Sequence, residues 1–279
     1  MSPTFSIITP SYGQLEWLRL AAASVADQEG VNLEHIVQDA CTGTELESWA
    51  SGRPGLKLYV EKDSGMYDAI NRGLRRASGE ICGYLNCDEQ YLPGALANVA
   101  RDFEQDPKID ILLAGSIVVD ESGRYISSRP ALRPFLNELK AGRMYNLSCS
   151  MFFRRRLFSD QGILFDPALR IIGDLQWLKQ AIASGAHVNK ANYFTSIFSD
   201  LGTNLALSAS ANKEAANLFG GAFHRISLPA FVMFHRLRRL LAGHYFPQPF
   251  SYSIYTLESP DQRQTFKVER PTGVWRNRL

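Results

Sequence analysis

The amino-acid sequence predicts an α/β protein: a doubly wound, mostly parallel sheet flanked by helices, with a C-terminal helical extension. Three observations carry this expectation. Short, nearly continuous apolar runs alternate with amphipathic segments from the amino terminus to about residue 120, as parallel strands buried on both faces alternate with their covering helices. The 279 residues, 45% of them hydrophobic, suffice for one large core. An acidic residue, Asp88, closes one of the apolar runs, and the carboxyl ends of strands are where open α/β sheets bind ligands.

Taken in order, Phe5 to Thr9 is a compact run rich in β-branched residues and reads as the first strand, after which Leu15, Leu18, Ala22 and Val25 recur at helical spacing. A strand through His35 to Gln38, a short helix near Glu45 to Trp49 and a strand from Leu56 to Val60 follow. Next come a helix from Tyr67 to Ala77, a strand from Ile81 to Leu85, a helix from Leu92 to Phe103 and a strand from Ile109 to Val119. The rhythm then changes. Asp120 to Arg124 supplies a turn, and a strand near Leu147 to Phe153, a helix from Asp174 to Ala183 and a strand near Val188 to Phe198 complete the same sheet. Residues 211–243 read as helical with a break at Pro229, and Tyr245 to Leu279 as a small hairpin followed by a loose tail.

Composition removes several function classes. A formal charge of +2 is too small for a surface that tracks phosphates, so no nucleic-acid partner is expected. Cys41, Cys82, Cys87 and Cys149 form no CxxC pair and meet no His cluster at zinc-ligand spacing, which argues against a zinc site and a disulfide framework. The opening MSPTFSIITPSY lacks a basic region before a long apolar run and reads as a strand, making a cytoplasmic location the default. No stretch approaches the roughly 18 apolar residues that a membrane span needs. A dinucleotide dehydrogenase is disfavoured because no GxGxxG follows the first strand.

The chemistry concentrates between Glu61 and Asp88, where a polar loop, a helix and a buried strand lead to the Asp88–Glu89 pair. A carboxylate there suits a divalent ion on a nucleotide diphosphate; a helix cap or simple solvation is the plainer alternative. Tyr67 and Asn71 fall four residues apart on one helix face, and Gly65 and Gly73 suit special backbone conformations or close approaches. Arg72, Arg75 and Arg76 read as a solvated helix face.

The segments FSIITPSYGQLEWLRLAAASVADQ, HIVQDACTGT, EKDSGMYDAINRG, ASGEICGYLNCDEQYLPGAL and GDLQWLKQA, in this order, resemble family 2 glycosyltransferases of the GT-A fold over roughly residues 4 to 200. The resemblance implies a catalytic domain at 1–205, about 1–120 forming the nucleotide-sugar-binding half and 121–205 the acceptor-side half, with 206–279 as the helical extension and tail. It further implies that Thr9, Pro10 and Tyr12 line the base and ribose pocket and that Asp39 accepts a hydrogen bond from the base, which suits uracil. Asp63, with Tyr67 and Asn71, is implied to close the donor pocket. The family's DXD signature stands here as Asn86, Cys87 and Asp88; its first acidic position is an amide, while Asp88 keeps the metal-binding place for Mg2+ or Mn2+.

Asp174, at the start of an amphipathic helix, matches the family's catalytic base; an N-cap is the alternative reading of the residue itself. Ser148, Ser150 and Arg154 are placed toward sugar or acceptor, Trp177 reads as core and Asp166 before Pro167 as a turn. No QxxRW signature of processive synthases is present, which favours single-sugar addition.

The expected activity is inverting transfer from a nucleotide-diphosphate sugar, UDP favoured, to a carbohydrate or lipid-linked glycan acceptor in polysaccharide or surface-glycan assembly. A catalytically silent nucleotide-sugar binder, motivated by Asn86, and a sugar nucleotidyltransferase are the alternatives. The basic helix with Arg225, Arg236, Arg238 and Arg239 is expected to meet an anionic membrane at its inner face, or else to pack on the catalytic domain or on a second copy in a homodimer.

Overall fold

The computed structural model describes residues 4–142, 144–202, 213–214, 217–219 and 222–275. Strands β1 (Thr4–Ser11), β2 (Asn32–Asp39), β3 (Leu56–Val60) and β4 (Ile81–Tyr84) alternate with helices α1 (Leu15–Ala26), α2 (Thr44–Ala50) and α3 (Met66–Arg76). They form the parallel half of a nine-stranded sheet, in the order β3-β2-β1-β4. The doubly wound expectation holds here, and each predicted element is present.

A short strand β5 (Glu89–Tyr91) precedes helix α4 (Ala95–Gln105). The helix expected from Leu92 therefore starts three residues later. Glu89 to Tyr91 pairs antiparallel with a distant strand, a partner that periodicity does not reveal. Beyond it come β6 (Ile111–Val119), β7 (Tyr125–Arg129), α5 (Leu136–Lys140), β8 (Met151–Arg154), α6 (Arg156–Ser159), α7 (Gly173–Ala183) and β9 (Val188–Ser199). The sheet continues β4-β8-β6-β9-β5, with β7 on β6. Because β8 runs antiparallel to both β4 and β6, and β9 runs parallel to β6, six strands point the same way: β1 to β4, β6 and β9. Their carboxyl ends share one edge.

Alternate residues of the central strands feed two cores, as a pleated strand requires. On one face Ile8, Ile111, Leu113 and Phe153 pack with Ile70 and Leu74 of α3 and Trp177 and Leu178 of α7. On the other, Phe5, Ile7, Leu112 and Phe152 pack with Leu96, Val99 and Phe103 of α4. Gly73 lets α3 settle on β1, since a methyl group there would lie 2.6 Å from the Ile8 side chain.

The chain then forms helix α8 (Ala222–Leu241) and the hairpin β10 (Phe250–Thr256) and β11 (Ser259–Val268). The break expected at Pro229 is corrected: α8 runs through it, because one lost hydrogen bond is tolerated in a helix of 20 residues whose last turns pack on the sheet domain. Arg238 donates both bonds of a fork to buried Glu138 at 2.8 Å. The expected hairpin is present and shares a core with the sheet, Tyr252, Ile254 and Val268 meeting Ile117, Val119 and Ile197.

The loose tail is also corrected over its described part. Tyr125 donates to the Thr272 carbonyl at 2.8 Å and Trp275 Nε1 donates to Asp200 at 2.9 Å. The expected domain boundary at 205/206 and residues 276–279 lie outside the described residues. No described helix is long and apolar enough to cross a membrane.

Candidate active site at the carboxyl edge of the sheet

The loops that leave β1, β2 and β3 are joined by their own backbones. Ala40 donates to the Ser11 carbonyl at 3.0 Å and Glu61 to the Asp39 carbonyl at 2.9 Å. Thr9 lies fully inside, its hydroxyl 2.9 Å from His35 Nε2, where burial holds the imidazole neutral with its pKa pushed down to about 4. Thr9 thus supports the floor of the site, while Tyr12, 76% exposed, stands at its rim. Asp39 ends β2 fully buried. Its two oxygens accept from the Thr42 N–H at 2.7 Å and the Thr42 hydroxyl at 2.6 Å.

The loop after β3 is shaped by acids at its base. Asp63 Oδ1 accepts from the Gly65 N–H at 2.9 Å; burial, with the charges of Asp68 and Asp39, holds its carboxyl above the ordinary range. Gly65 has φ +132° and a methyl group there would collide with the Arg170 guanidinium, so two independent demands fall on one glycine. Arg170 in turn donates to the Ser64 carbonyl.

Tyr67 and Asn71 do not face an open pocket. Tyr67 is buried, stacked on Phe165 at 5.6 Å, and donates to the Ile171 carbonyl at 3.0 Å. Both ends of the Asn71 amide serve the Phe165 backbone, at 2.7 and 2.9 Å. Their work is to anchor the loop that precedes α7.

After β4 the chain turns through Asn86, Cys87 and Asp88. Buried Cys87 faces the Pro10 carbonyl at 3.4 Å, which ties this turn to the one after β1; burial pushes its thiol up to about 12 and keeps it unreactive. Asp88 is half-buried, and burial raises its carboxyl. Glu89 turns inward: one oxygen accepts from the Asn86 N–H at 2.7 Å and the other has no hydrogen-bond partner. Burial, then the Asp88 charge, pushes the Glu89 carboxyl up to about 8.

The Asp174 carboxylate accepts from the Leu175 N–H at 2.8 Å, inside the first turn of α7 and not at its N-cap, which is Ile172. Burial pushes this carboxyl up to about 6, and Asp174 in turn raises Glu89 through its charge. Trp177 is core as expected, and Asp166 makes the expected turn by accepting from the Ala168 N–H at 2.9 Å.

Two residues assigned to the acceptor side do other work. Ser150 is buried and donates to the Gly115 carbonyl at 3.1 Å, and buried Arg154 donates to the Ile109 carbonyl at 2.8 Å. A residue missed from sequence is Glu214, which accepts from three consecutive N–H groups, those of Arg170, Ile171 and Ile172, at 2.7, 2.9 and 2.9 Å. Nothing in its local sequence signals this.

The same edge carries an open cleft of about 400 Å³ lined by Trp17, Glu121, Ser122, Leu201, Thr256 and Glu258, none of them among the predicted site residues. Among the described residues no three Asp, Glu, His or Cys side chains converge as a ready-made metal cage. Mg2+ bound with nucleotide phosphates usually takes one or two carboxylates, the substrate phosphates and water. Asp88, half-buried directly after β4, has the chemistry for such a carboxylate.

The chain resembles other proteins as this geometry leads one to expect. It is 36% identical over 93 residues to an uncharacterized glycosyltransferase of Mycobacterium tuberculosis, covering 32% of this chain and 36% of the relative. To the putative teichuronic acid biosynthesis glycosyltransferase TuaG of Bacillus subtilis it is 32% identical over 94 residues, 32% of this chain and 37% of the relative. The chain thus spans well under half the length of these two relatives.

The structure of S. aureus TarS in complex with UDP matches with a TM-score of 0.59 at 18% identity, covering 87% of this chain and 78% of that one. The mannosyltransferase PcManGT from Pyrobaculum calidifontis, with GDP-Man and Mn2+, matches with a TM-score of 0.56 at 17% identity, over 87% and 75%. These likenesses carry the fold, which is of the GT-A type. The profile described as glycosyl transferase family 2 matches residues 6–162, spanning every loop from β1 through β8, and the chain belongs to that family.

Proposed function

We propose that the chain transfers a single sugar, with inversion, from a nucleotide-diphosphate sugar to a carbohydrate or lipid-linked glycan acceptor in polysaccharide or surface-glycan assembly. The observation that carries this reading is that Asp88 and Asp174, two half-buried carboxylates on different elements, stand at one edge of the sheet in a chain of this family. The TarS complex with UDP supports a UDP sugar as donor, and TuaG supports the polysaccharide setting.

In the proposed step Asp174 takes the proton of the acceptor hydroxyl as its oxygen bonds to the anomeric carbon. The bond from that carbon to the diphosphate oxygen breaks, and the nucleoside diphosphate leaves with the electron pair. A carboxyl near 6 is ionised at neutral pH yet basic enough to accept that proton. Asp88 would hold a divalent metal, whose charge offsets that of the departing diphosphate. Tyr12, Pro10 and Asp39 border the base and ribose, Asp63 shapes the neighbouring loop, and Thr9, Asn86 and Cys87 support the floor.

The exposed face of α8 supports a membrane setting. Met233, Leu237, Leu240 and Leu241 point outward beside Arg236, and no carboxylate occurs between Glu214 and Glu258. That pattern fits peripheral contact with an anionic bilayer on its cytoplasmic side.

The testing experiment is thermal unfolding with UDP sugars, with and without Mn2+. A metal-dependent rise in Tm is expected for the wild type and none for Asp88→Ala. An unchanged metal response in the variant would exclude Asp88 as the ligand.

A further inference from the structure

We infer that Glu214 is a positioning residue for Asp174, which it holds through the backbone of residues 170–172; this rests on the proposed role of Asp174 as proton acceptor. Among the described residues the Asp174 carboxylate accepts from the adjacent Leu175 N–H at 2.8 Å, with the Tyr67 hydroxyl beside it. Its direction is therefore that of the backbone at the start of α7, and whatever fixes that backbone aims the carboxylate.

Two devices fix it, from opposite sides of the sequence. From α3, the buried Tyr67 hydroxyl donates to the Ile171 carbonyl at 3.0 Å and accepts from the Asp174 N–H at 3.3 Å. From the segment after β9, Glu214 accepts from the N–H groups of Arg170, Ile171 and Ile172, with Oε1 on the first and Oε2 on the other two. Three consecutive N–H groups turned to one carboxylate need an anion: a neutral amide offers one oxygen and would point its own N–H at the remaining donor. The negative charge also lies at the amino end of α7, where the helix dipole favours it.

The arrangement separates two tasks. Donor contacts belong to the loops after β1 to β4, whereas among the described residues the hydrogen bonds of Glu214 go to the backbone before α7. Loss of Glu214 should therefore lower the rate of the chemical step and spare donor binding.

The test uses the full chain and two variants, Glu214→Gln, which keeps the side-chain volume, and Glu214→Ala. Amide hydrogen exchange is read for peptides spanning 170–175 and 66–76, and UDP release from a UDP sugar is measured with Mn2+. Exchange at 170–175 is expected to rise about tenfold or more in both variants while 66–76 stays unchanged. A fall in kcat of about tenfold or more should accompany a donor KM within about twofold of the wild type, the signature of a misplaced group and not of a lost fold. Unchanged exchange would overturn the contact, and faster exchange with full kcat, or a KM that rises with kcat intact, would overturn the positioning role. If the wild type releases no nucleoside diphosphate, the functional reading fails and the catalytic part of this inference with it, while exchange still reports on the contact by itself.

Discussion

The loops that follow the parallel strands and the segment that leads into α7 are held by different kinds of bond. From β1 to β4 the strands are neighbours in a parallel ladder, and the loops at their ends are tied by backbone bonds such as Ala40 to Ser11. Around α7 the ties are single side chains reaching backbone atoms far away in sequence: Asn71 to Phe165, Tyr67 to Ile171 and Glu214 to residues 170–172. The first half is a floor whose geometry follows from the ladder. The second is a wall whose geometry depends on a few side-chain contacts, so point substitutions should act on it more sharply.

The largest expected effect on stability is at Trp177. Its indole lies 5.2 Å from Phe165 and 4.6 Å from Phe153, with Nε1 donating to the Ile163 carbonyl at 3.1 Å. Trp177→Ala should cost about 3–5 kcal/mol by denaturant unfolding. A loss within the range of a surface substitution would contradict the view that this wall hangs on a few buried groups.

The next contrast is in pH. In the first half, burial alone would raise the Glu34 carboxyl, but hydrogen bonds from Lys57, Ser6 and Ser78 outweigh it and hold the group down at about 2. A folded-state value below the unfolded one means stability that is complete above about 4.5 and is lost as pH falls toward 2, about 3 kcal/mol at ~1.4 kcal/mol per unit. In the second half, Asp174 is raised to about 6, so its ionised form burdens the fold above that value and the burden is relieved as pH falls through 6 toward 4. Chemical unfolding from pH 7 to 3 should show Glu34→Gln removing most of the loss below about 4.5 and Asp174→Asn removing the gain between about 6 and 4. Identical profiles for the two variants would erase the contrast.

The smallest effect concerns α8. Replacing Met233 and Leu237 by Asp should reduce sedimentation with anionic liposomes while leaving Tm within about 1–2 °C, since both are exposed. Equal sedimentation of wild type and variant would remove the membrane proposal. A concentration-dependent mass increase without lipid would assign that face to a second copy of the chain.

How much of this was legible in the sequence follows the same division. Apolar runs at Phe5–Thr9 and Ile81–Leu85 and helical spacing in α1 located the parallel half to within three residues, because each element there declares itself by its own period. The place of Asp88 after β4 was legible for the same reason, as the acid that ends a buried run. Strand β5 escaped because three residues carry no period, and its identity comes from pairing with Phe198, more than a hundred residues on. Asn71 and Tyr67 had the right helix face but the wrong task, since only the fold brings the Phe165 and Ile171 backbones to them. Glu214 was invisible because its partners are N–H groups, which every residue but proline offers.

The division of labour between floor and wall is tested most directly by one variant, Asp174→Asn, assayed for donor binding by calorimetry and for UDP release under the same Mn2+ concentration. The account predicts a donor Kd within about twofold of the wild type and turnover reduced on the order of 10²- to 10⁴-fold. Turnover retained at the wild-type rate, or donor binding lost together with it, would contradict the assignment of proton transfer to the wall and binding to the floor.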